Sequence, residues 1–240
     1  MPIGKVIDIA YPRLQSPSLD EAEEFLTHFG MVRAERTKDR LYMRGTDANH
    51  HLHVTHLGPA KFIGLGWCGM QQLPKLPVQK NVLNWGDDKL RRAGELMRLK
   101  HGPSQVKRMG HGVLMTTKPA EATKWFREYL GFVCSDDVYA GDKNNVIASF
   151  NRCDRGETYV DHHVFLCLAG PKNGLNHISY EVETVDDVMV GHEFLKAKGK
   201  YKHVWGIGRH VLGSQIFDYW QDPWQRVHEH WTDTDVLNNS

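Results

Sequence analysis

Gly110-His111-Gly112-Val113-Leu114 and, 66 positions further on, Asn176-His177-Ile178-Ser179-Tyr180 set a histidine in the same context twice. Each histidine opens an apolar, β-forming run, and a helical pattern follows. After His111 come Pro119 and then Ala122, Trp125, Phe126 and Tyr129 on one helical face, with Gly131 where the helix stops. After His177 come Thr184 and Asp187 at cap spacing, then Val188, Phe194 and Leu195, then Gly199. The pattern also occurs near the start of the chain. Val6-Ile7-Asp8-Ile9-Ala10 leads into Ser18-Leu19-Asp20-Glu21, a capping-box spacing, followed by Ala22, Phe25, Leu26, Phe29 and Gly30. Segments rich in β-formers come after the helices, among them Val146 to Phe150 and Val164 to Leu168. The unit reads as strand, helix and about three strands, so the fold class is α+β: repeated βαβββ modules whose sheets curl around a site.

Between the first and second full copies the pattern is cut short. Lys61-Phe62-Ile63-Gly64-Leu65-Gly66-Trp67 reads as the opening strand of another module, yet no helix of matching length follows. The chain passes instead through Leu73-Pro74-Lys75-Leu76-Pro77, where the prolines oppose a regular element. The expected organisation is an N-terminal module plus a shortened second module over 1–72, a linker or arm over 73–108 with a helical stretch around Asp87 to Leu99, and two full modules over 109–240.

The 240 residues are 40% apolar and 25% charged, ordinary for a globular chain long enough to bury a sizeable core. A formal net charge of +1 gives no electrostatic reason to expect a nucleic-acid or acidic-membrane partner. Lys89, Arg91, Arg92, Arg98, Lys100, Lys107 and Arg108 form a basic stretch interrupted by acids and apolar residues, which reads as a solvated linker face. Cys68, Cys134, Cys153 and Cys167 have neither CxxC spacing nor disulfide-framework density, and read as free, mostly buried thiols in a reducing compartment. The sequence has no secretory leader and no apolar run near the ~20 residues of a membrane span, so a cytoplasmic protein is expected. Among 15 histidines, the cluster His50, His51, His53 and His56 alternates as on a strand, its side chains dividing between two faces.

Histidines at the same point of two related strands can converge between curled sheets. Glu229, in a late strand of the last module, is placed to join them. Two histidines and a carboxylate are a recurrent ligand set for non-haem Fe(II), with positions left open for substrate and dioxygen. Trp205, Trp220, Trp224 and Trp231 crowd the C-terminal region as candidate pocket, core or interface residues.

These residues resemble the type I extradiol ring-cleaving dioxygenases of the vicinal oxygen chelate superfamily, which includes the glyoxalases and bleomycin resistance proteins. The resemblance is strongest from Gly102 to Asp235. Gly102 to His111 is similar to that family's lead into its catalytic domain, and Gly208-Arg209-His210, Tyr219, Asp222-Pro223 and Glu229 follow its ring-cleavage signature. His210 precedes Tyr219 by 9 positions and Tyr219 precedes Glu229 by 10. The resemblance implies an enzyme that inserts O2 into a catecholic ring beside its vicinal diol, in aromatic catabolism. It implies His111, His177 and Glu229 as ligands of Fe(II), with Mn(II) as the other metal that suits this set, and makes 109–240 the metal-binding catalytic domain. It also implies an acid/base histidine within Asp161-His162-His163-Val164: His162 by an ungapped match back from His177, His163 by a slip of one. His210 and Tyr219 take the positions that hydrogen-bond substrate and oxygen, and a homo-oligomer is expected.

The signature is departed from twice, with Asp218 where an apolar residue usually precedes the tyrosine and Gln225 where a glycine usually follows Asp-Pro. The shortened second module motivates a different reading, a metal-free binding or assembly module of the same fold. A glyoxalase-like metal-dependent lyase is the third. Such a lyase needs carboxylate bases and leaves His162, His210 and Tyr219 without a role.

Overall fold

In each copy of the repeat the first strand pairs in parallel with the last, and the helix makes the crossover. The computed structural model describes residues 2–67, 71–79 and 82–240. The first module comprises β1 (Tyr11–Ser16), α1 (Leu19–His28), β2 (Val32–Arg36), β3 (Arg40–Arg44) and β4 (His53–Leu57), and is followed by a lone strand β5 (Lys61–Gly66). The next comprises β6 (Val106–Thr116), α2 (Pro119–Leu130), β7 (Phe132–Tyr139), β8 (Val146–Cys153), the short β9 (Val160–Asp161) and β10 (Phe165–Ala169). The last comprises β11 (Gly174–Val182), α3 (Val185–Lys198), β12 (Lys202–Arg209), β13 (Ile216–Gln221) and β14 (Val227–Thr232), after which β15 (Val236–Leu237) pairs with β9. β1 with β4, β6 with β10, and β11 with β14 are the three parallel pairs.

Two sheets result. One has five strands in the order β2-β3-β4-β1-β5; the other has eight, in the order β12-β13-β14-β11-β6-β10-β8-β7. The eight-stranded sheet is two modules fused edge to edge by antiparallel pairing of β6 with β11. The fold is thus the expected α+β arrangement of βαβββ units.

Local chemistry sets the helix ends. Ser18 caps α1, its Oγ accepting the Glu21 amide at 3.1 Å. α2 begins on Pro119, whose missing N–H costs nothing in the first turn, and ends on Gly131 in the left-handed region at φ 74°. α3 follows Thr184 and ends on Gly199 at φ 65°. Asp187 accepts the Gln105 amide at 2.8 Å, tying the start of α3 to the approach to β6.

One apolar core runs through both halves of the chain, from Leu14, Phe25 and Phe29 to Tyr180, Val188 and Trp220. Trp67 packs edge-on against Phe132 and Phe165, with ring centroids 5.2 and 5.9 Å away. His53 Nδ1 lies 2.6 Å from the buried Tyr180 hydroxyl, a polar link between β4 and β11.

Several local expectations change. The opening strand of the first module is Tyr11–Ser16; the preceding Val6 to Ala10 run is extended chain with Val6 and Ile9 in the core. No helix forms around Asp87 to Leu99, where the chain makes turns between Gly86 and Gly94 and is irregular beyond them. Lys107 and Arg108 belong to β6 rather than to a solvated linker: Lys107 pairs with Glu181 at 2.7 Å, and Arg108 with Asp161 at 2.7 Å and Glu181 at 2.6 Å. On α2, Phe126 packs against Phe165, while Trp125 and Tyr129 stack on each other half-exposed. Cys153 and Cys167 are buried free thiols, Cys134 is free and exposed, and Cys68 lies outside the described residues. Among the described residues no helix is long and apolar enough to cross a membrane.

His230 on β14 is fully buried, stacked on Phe29 at 3.7 Å, with Nε2 donating to the Phe29 carbonyl at 2.6 Å. Burial pushes its pKa down to about 4. An unfolded histidine titrates near ~6.5, so between those values the unfolded chain takes up the proton and stability falls with pH. The contribution is complete above the unfolded value and lost as pH falls through the folded one. Between pH 7 and 5, wild type is expected to lose roughly 2 kcal/mol more than His230→Gln, measured as the difference in urea unfolding free energy.

Candidate active site

The sheet register assembles the site. His111 on β6 sits opposite Ser179 on β11, Ser179 opposite Glu229 on β14, and Glu229 opposite Tyr219 on β13. His177, two residues before Ser179, shares its face. The β6–β11 register shifts between Leu175 and His177 and again between Ser179 and Tyr180, leaving Asn176 and Gly110 as extra residues beside the two histidines. Bulges of this kind re-aim neighbouring side chains.

His111 Nε2 lies 2.9 Å from Glu229 Oε2, His177 Nε2 3.4 Å from the same oxygen, and the two nitrogens are 3.3 Å apart. His177 Nδ1 faces Asn176 Oδ1 at 2.7 Å, so it carries the hydrogen and Nε2 keeps its lone pair. Glu229 is wholly buried, and neither carboxylate oxygen meets an aligned donor despite the short distance to His111. The two nitrogens and the oxygen thus lie within 3.4 Å of one another around a common point.

Burial by itself would push the Glu229 carboxyl up, but His111, His177 and His210 outweigh it and hold it well below the usual carboxylate range. Burial pushes His111 down, with Glu229 only partly restoring it, so its imidazole favours the neutral form. Among the described residues no Lys or Arg pairs with this buried carboxylate, which faces only imidazoles. That donor set fits a divalent cation.

Tyr219 and His210 stand beside the carboxylate, His210 Nε2 being 3.0 Å from the Tyr219 hydroxyl and 3.6 Å from Glu229 Oε1. Burial, reinforced by Glu229, pushes the Tyr219 hydroxyl well above its ordinary pKa, so it remains a neutral donor. Trp205, assigned no role from sequence, lies parallel to the Tyr219 ring at 5.7 Å.

The histidine doublet resolves differently from the ungapped match. His163 lines the cavity, its ring 4.3 Å from that of His111, whereas His162 lies behind it. His162 Nε2 faces Asp136 Oδ2 at 2.7 Å and its Nδ1 faces His163 Nδ1 at 3.0 Å. With both rings neutral, His162 donates to Asp136 and accepts from His163, leaving His163 Nε2 as the nitrogen available to the cavity. The two residues lie between β9 and β10, where no strand alternation decides which side chain turns inward.

The cavity has a volume of about 380 Å³. Its polar end is the group just described, and its other wall is the apolar cluster of Val113, Ala148 and Leu166 with Val138, Phe150 and Leu168. No Lys, Arg, Asp or Glu is among its described lining residues. A larger hollow of about 710 Å³ lies under the arm, lined by Pro77, Val82, Leu96 and Arg98, away from the converging histidines. Asn176 and Asp136 had no role in the sequence reading, and Trp205 was left open there between pocket, core and interface. Only Asn176, adjacent to His177 in the repeated motif, left a local signal.

Residues 108–225 match the Glyoxalase/Bleomycin resistance protein/Dioxygenase superfamily. Metapyrocatechase 2 of Cupriavidus necator is 31% identical over 131 residues, which are 55% of this chain and 38% of that protein, well under half of the relative's length. In three dimensions the chain is similar to the 2,3-dioxygenase LapB from Pseudomonas sp. KL28, with a TM-score of 0.75 at 16% identity over 98% of this chain and 95% of that one. It is also similar to an Mn(II)-bound glyoxalase from Novosphingobium aromaticivorans, with a TM-score of 0.74 at 20% identity over 98% of this chain and 84% of that one. These two likenesses concern the fold. The metapyrocatechase match agrees with the resemblance to extradiol dioxygenases carried by the sequence motifs.

A Cβ at Gly110 would fall 2.2 Å from the Trp231 indole nitrogen, while one at Gly174 would meet nothing within 4 Å. Gly110→Ala is expected to cost about 1–3 kcal/mol through overpacking next to His111, and Gly174→Ala to stay within about 0.5 kcal/mol of wild type, both read from thermal unfolding.

Proposed function

We propose that this protein is an extradiol dioxygenase, which cleaves the ring of a catechol beside its two hydroxyls using a divalent metal held by His111, His177 and Glu229. The observation that carries this reading is the wholly buried Glu229 carboxylate, facing two imidazole nitrogens at the polar end of an apolar cavity. Fe(II) is the proposed ion, and Mn(II) suits the same donors.

When bound, the metal would anchor two vicinal oxygens, favour loss of a phenolic proton, and bring the electron-rich ring together with O2. The chain supplies the rest. Asn176 fixes the His177 ring so that Nε2 faces inward. Tyr219, held neutral, donates its hydroxyl hydrogen to an anionic substrate oxygen, and His210 orients that hydroxyl.

His163 Nε2 takes and returns a proton on the opposite side of the site. Burial, with His111 and His162 beside it, holds its imidazole well below the ordinary value and so keeps a lone pair ready. His162 acts through His163, as the positioning link to Asp136. The apolar wall keeps bulk water from the ring.

Anaerobic loading with Fe(II), followed by 3-methylcatechol or 2,3-dihydroxybiphenyl in air, is expected to yield a yellow ring-opened product. His111→Ala and Glu229→Ala should reduce its formation to background. Retained iron without product would remove the proposed chemistry; failure of anaerobically loaded protein to hold iron would favour the metal-free module.

The described lining residues include no Lys or Arg to compensate a substrate carboxylate. A 2,3-dihydroxybiphenyl ring is therefore expected to exceed 3,4-dihydroxyphenylacetate in kcat/KM by at least about tenfold, equivalent to about 1.4 kcal/mol. Equal values would show that a carboxylate is accommodated outside the described wall.

A further inference from the structure

Asp218, the residue that breaks the expected apolar position before Tyr219, points to the opposite face of β13 and is wholly buried. Three side chains from three places meet it. His192 on α3 brings Nδ1 to 3.1 Å from Oδ1 and 3.2 Å from Oδ2. His203 on β12 brings Nε2 to 2.8 Å from Oδ1, and the Trp220 indole donates to Oδ2 at 2.6 Å. Among the described residues, no Lys or Arg forms an ion pair with this carboxylate; its ring-nitrogen partners are the two histidines and Trp220.

The two imidazoles stand nearly perpendicular, at 89° with centroids 4.9 Å apart, and both present a nitrogen to the same oxygen. Tetrahedral ligands about 2.1 Å from one ion lie about 3.4 Å apart. The nitrogen-to-oxygen separations of 2.8 and 3.1 Å here, like the 2.9 Å between His111 and Glu229, are hydrogen-bond lengths, and opening them by roughly half an ångström would seat an ion among the same atoms. His192 and His203 remain partly exposed, so an ion and its waters can reach the site from outside without opening the core.

We propose that His192 Nδ1, His203 Nε2 and Asp218 form a second metal site, selective for a borderline divalent ion such as Zn2+ and distinct from the cavity site. Two imidazoles and one carboxylate suit Zn2+, whereas Ca2+ and Mg2+ prefer all-oxygen shells. The ion ties α3 to the β12–β13 hairpin, whose opposite face carries Trp205 and Tyr219 to the cavity. Its role is therefore structural: it supports the cavity wall and touches no substrate.

The test is Zn2+ titration of chelator-stripped protein, reading bound metal per chain after gel filtration together with the thermal midpoint. Glu229→Ala, which lacks the cavity carboxylate, is expected to retain one Zn2+ and to melt at a higher temperature with it. Adding His203→Ala should weaken that binding at least tenfold and abolish the thermal shift. In an otherwise wild-type chain, His203→Ala should lower the stoichiometry from two to one. If Glu229→Ala binds no Zn2+, or if His203→Ala leaves binding and midpoint unchanged in both backgrounds, Asp218 is a metal-free hydrogen-bonded anchor and the proposal is overturned. Binding of one ion by wild type and Glu229→Ala alike, lost on His203→Ala, would uphold this site and instead remove the cavity site.

Discussion

The antiparallel pairing of β6 with β11 is the constraint on which the rest depends. It joins two modules into one curled sheet and places His111 opposite Ser179. Because side chains alternate along a strand, a slip of one residue would turn a histidine out of the cavity and into the outer face. The parallel pairing of β14 with β11 then brings Glu229 into the same row, and β13 brings Tyr219. Four strands from the two later modules thus deliver the site through backbone hydrogen bonds. The bulges at Gly110 and Asn176 make the final adjustment where a regular ladder would hold the histidines parallel.

The same alternation gives the sheet two polar faces with different work. On β13, Tyr219 turns toward the cavity while Asp218 and Trp220 turn toward α3. On β14, Glu229 turns inward, while His228 and His230 turn toward the first half of the chain, where His230 stacks on Phe29. Buried carboxylates therefore lie on both sides of a single pair of strands, each facing imidazoles. Buried charge is tolerated only where it is compensated, and the sheet concentrates that compensation at its two histidine-rich clusters.

The first half is more than an appendage. β5 completes the edge of β1 as a lone strand, and the helix of the first module packs its Phe25 and Phe29 against His228 on β14. Trp67 reaches Phe132 and Phe165 in the second module. The shortened repeat thus still contributes to the core that supports the outer face of the eight-stranded sheet. Gln225 shows a similar accommodation: it adopts φ 66° in the turn where a glycine is usual, at the conformational cost that a side chain carries there.

Much of this was legible in residue order. The three helices with their Ser18, Pro119 and glycine boundaries, the opening strands of the two later modules, and the matched placing of His111 and His177 follow from periodicities of two and 3.6 and from a repeated motif, while Glu229 came from its place in a late strand and from the family resemblance. What periodicity does not encode was decided by the folded chain. Which member of the His162-His163 doublet faces the cavity depends on the irregular path between β9 and β10. The exposure of Trp125 and Tyr129 depends on how little sheet α2 covers, and the pairing of Arg108 with Asp161 and Glu181 depends on contacts far away in sequence. The meeting of His192, His203 and Asp218 across a helix and two strands has no local signature beyond one unexpected aspartate. Sequence determined the elements and their inward faces, because these reflect local backbone geometry. Tertiary structure decided the partners of each buried polar group, because these are set by packing between segments that the chain brings together only on folding.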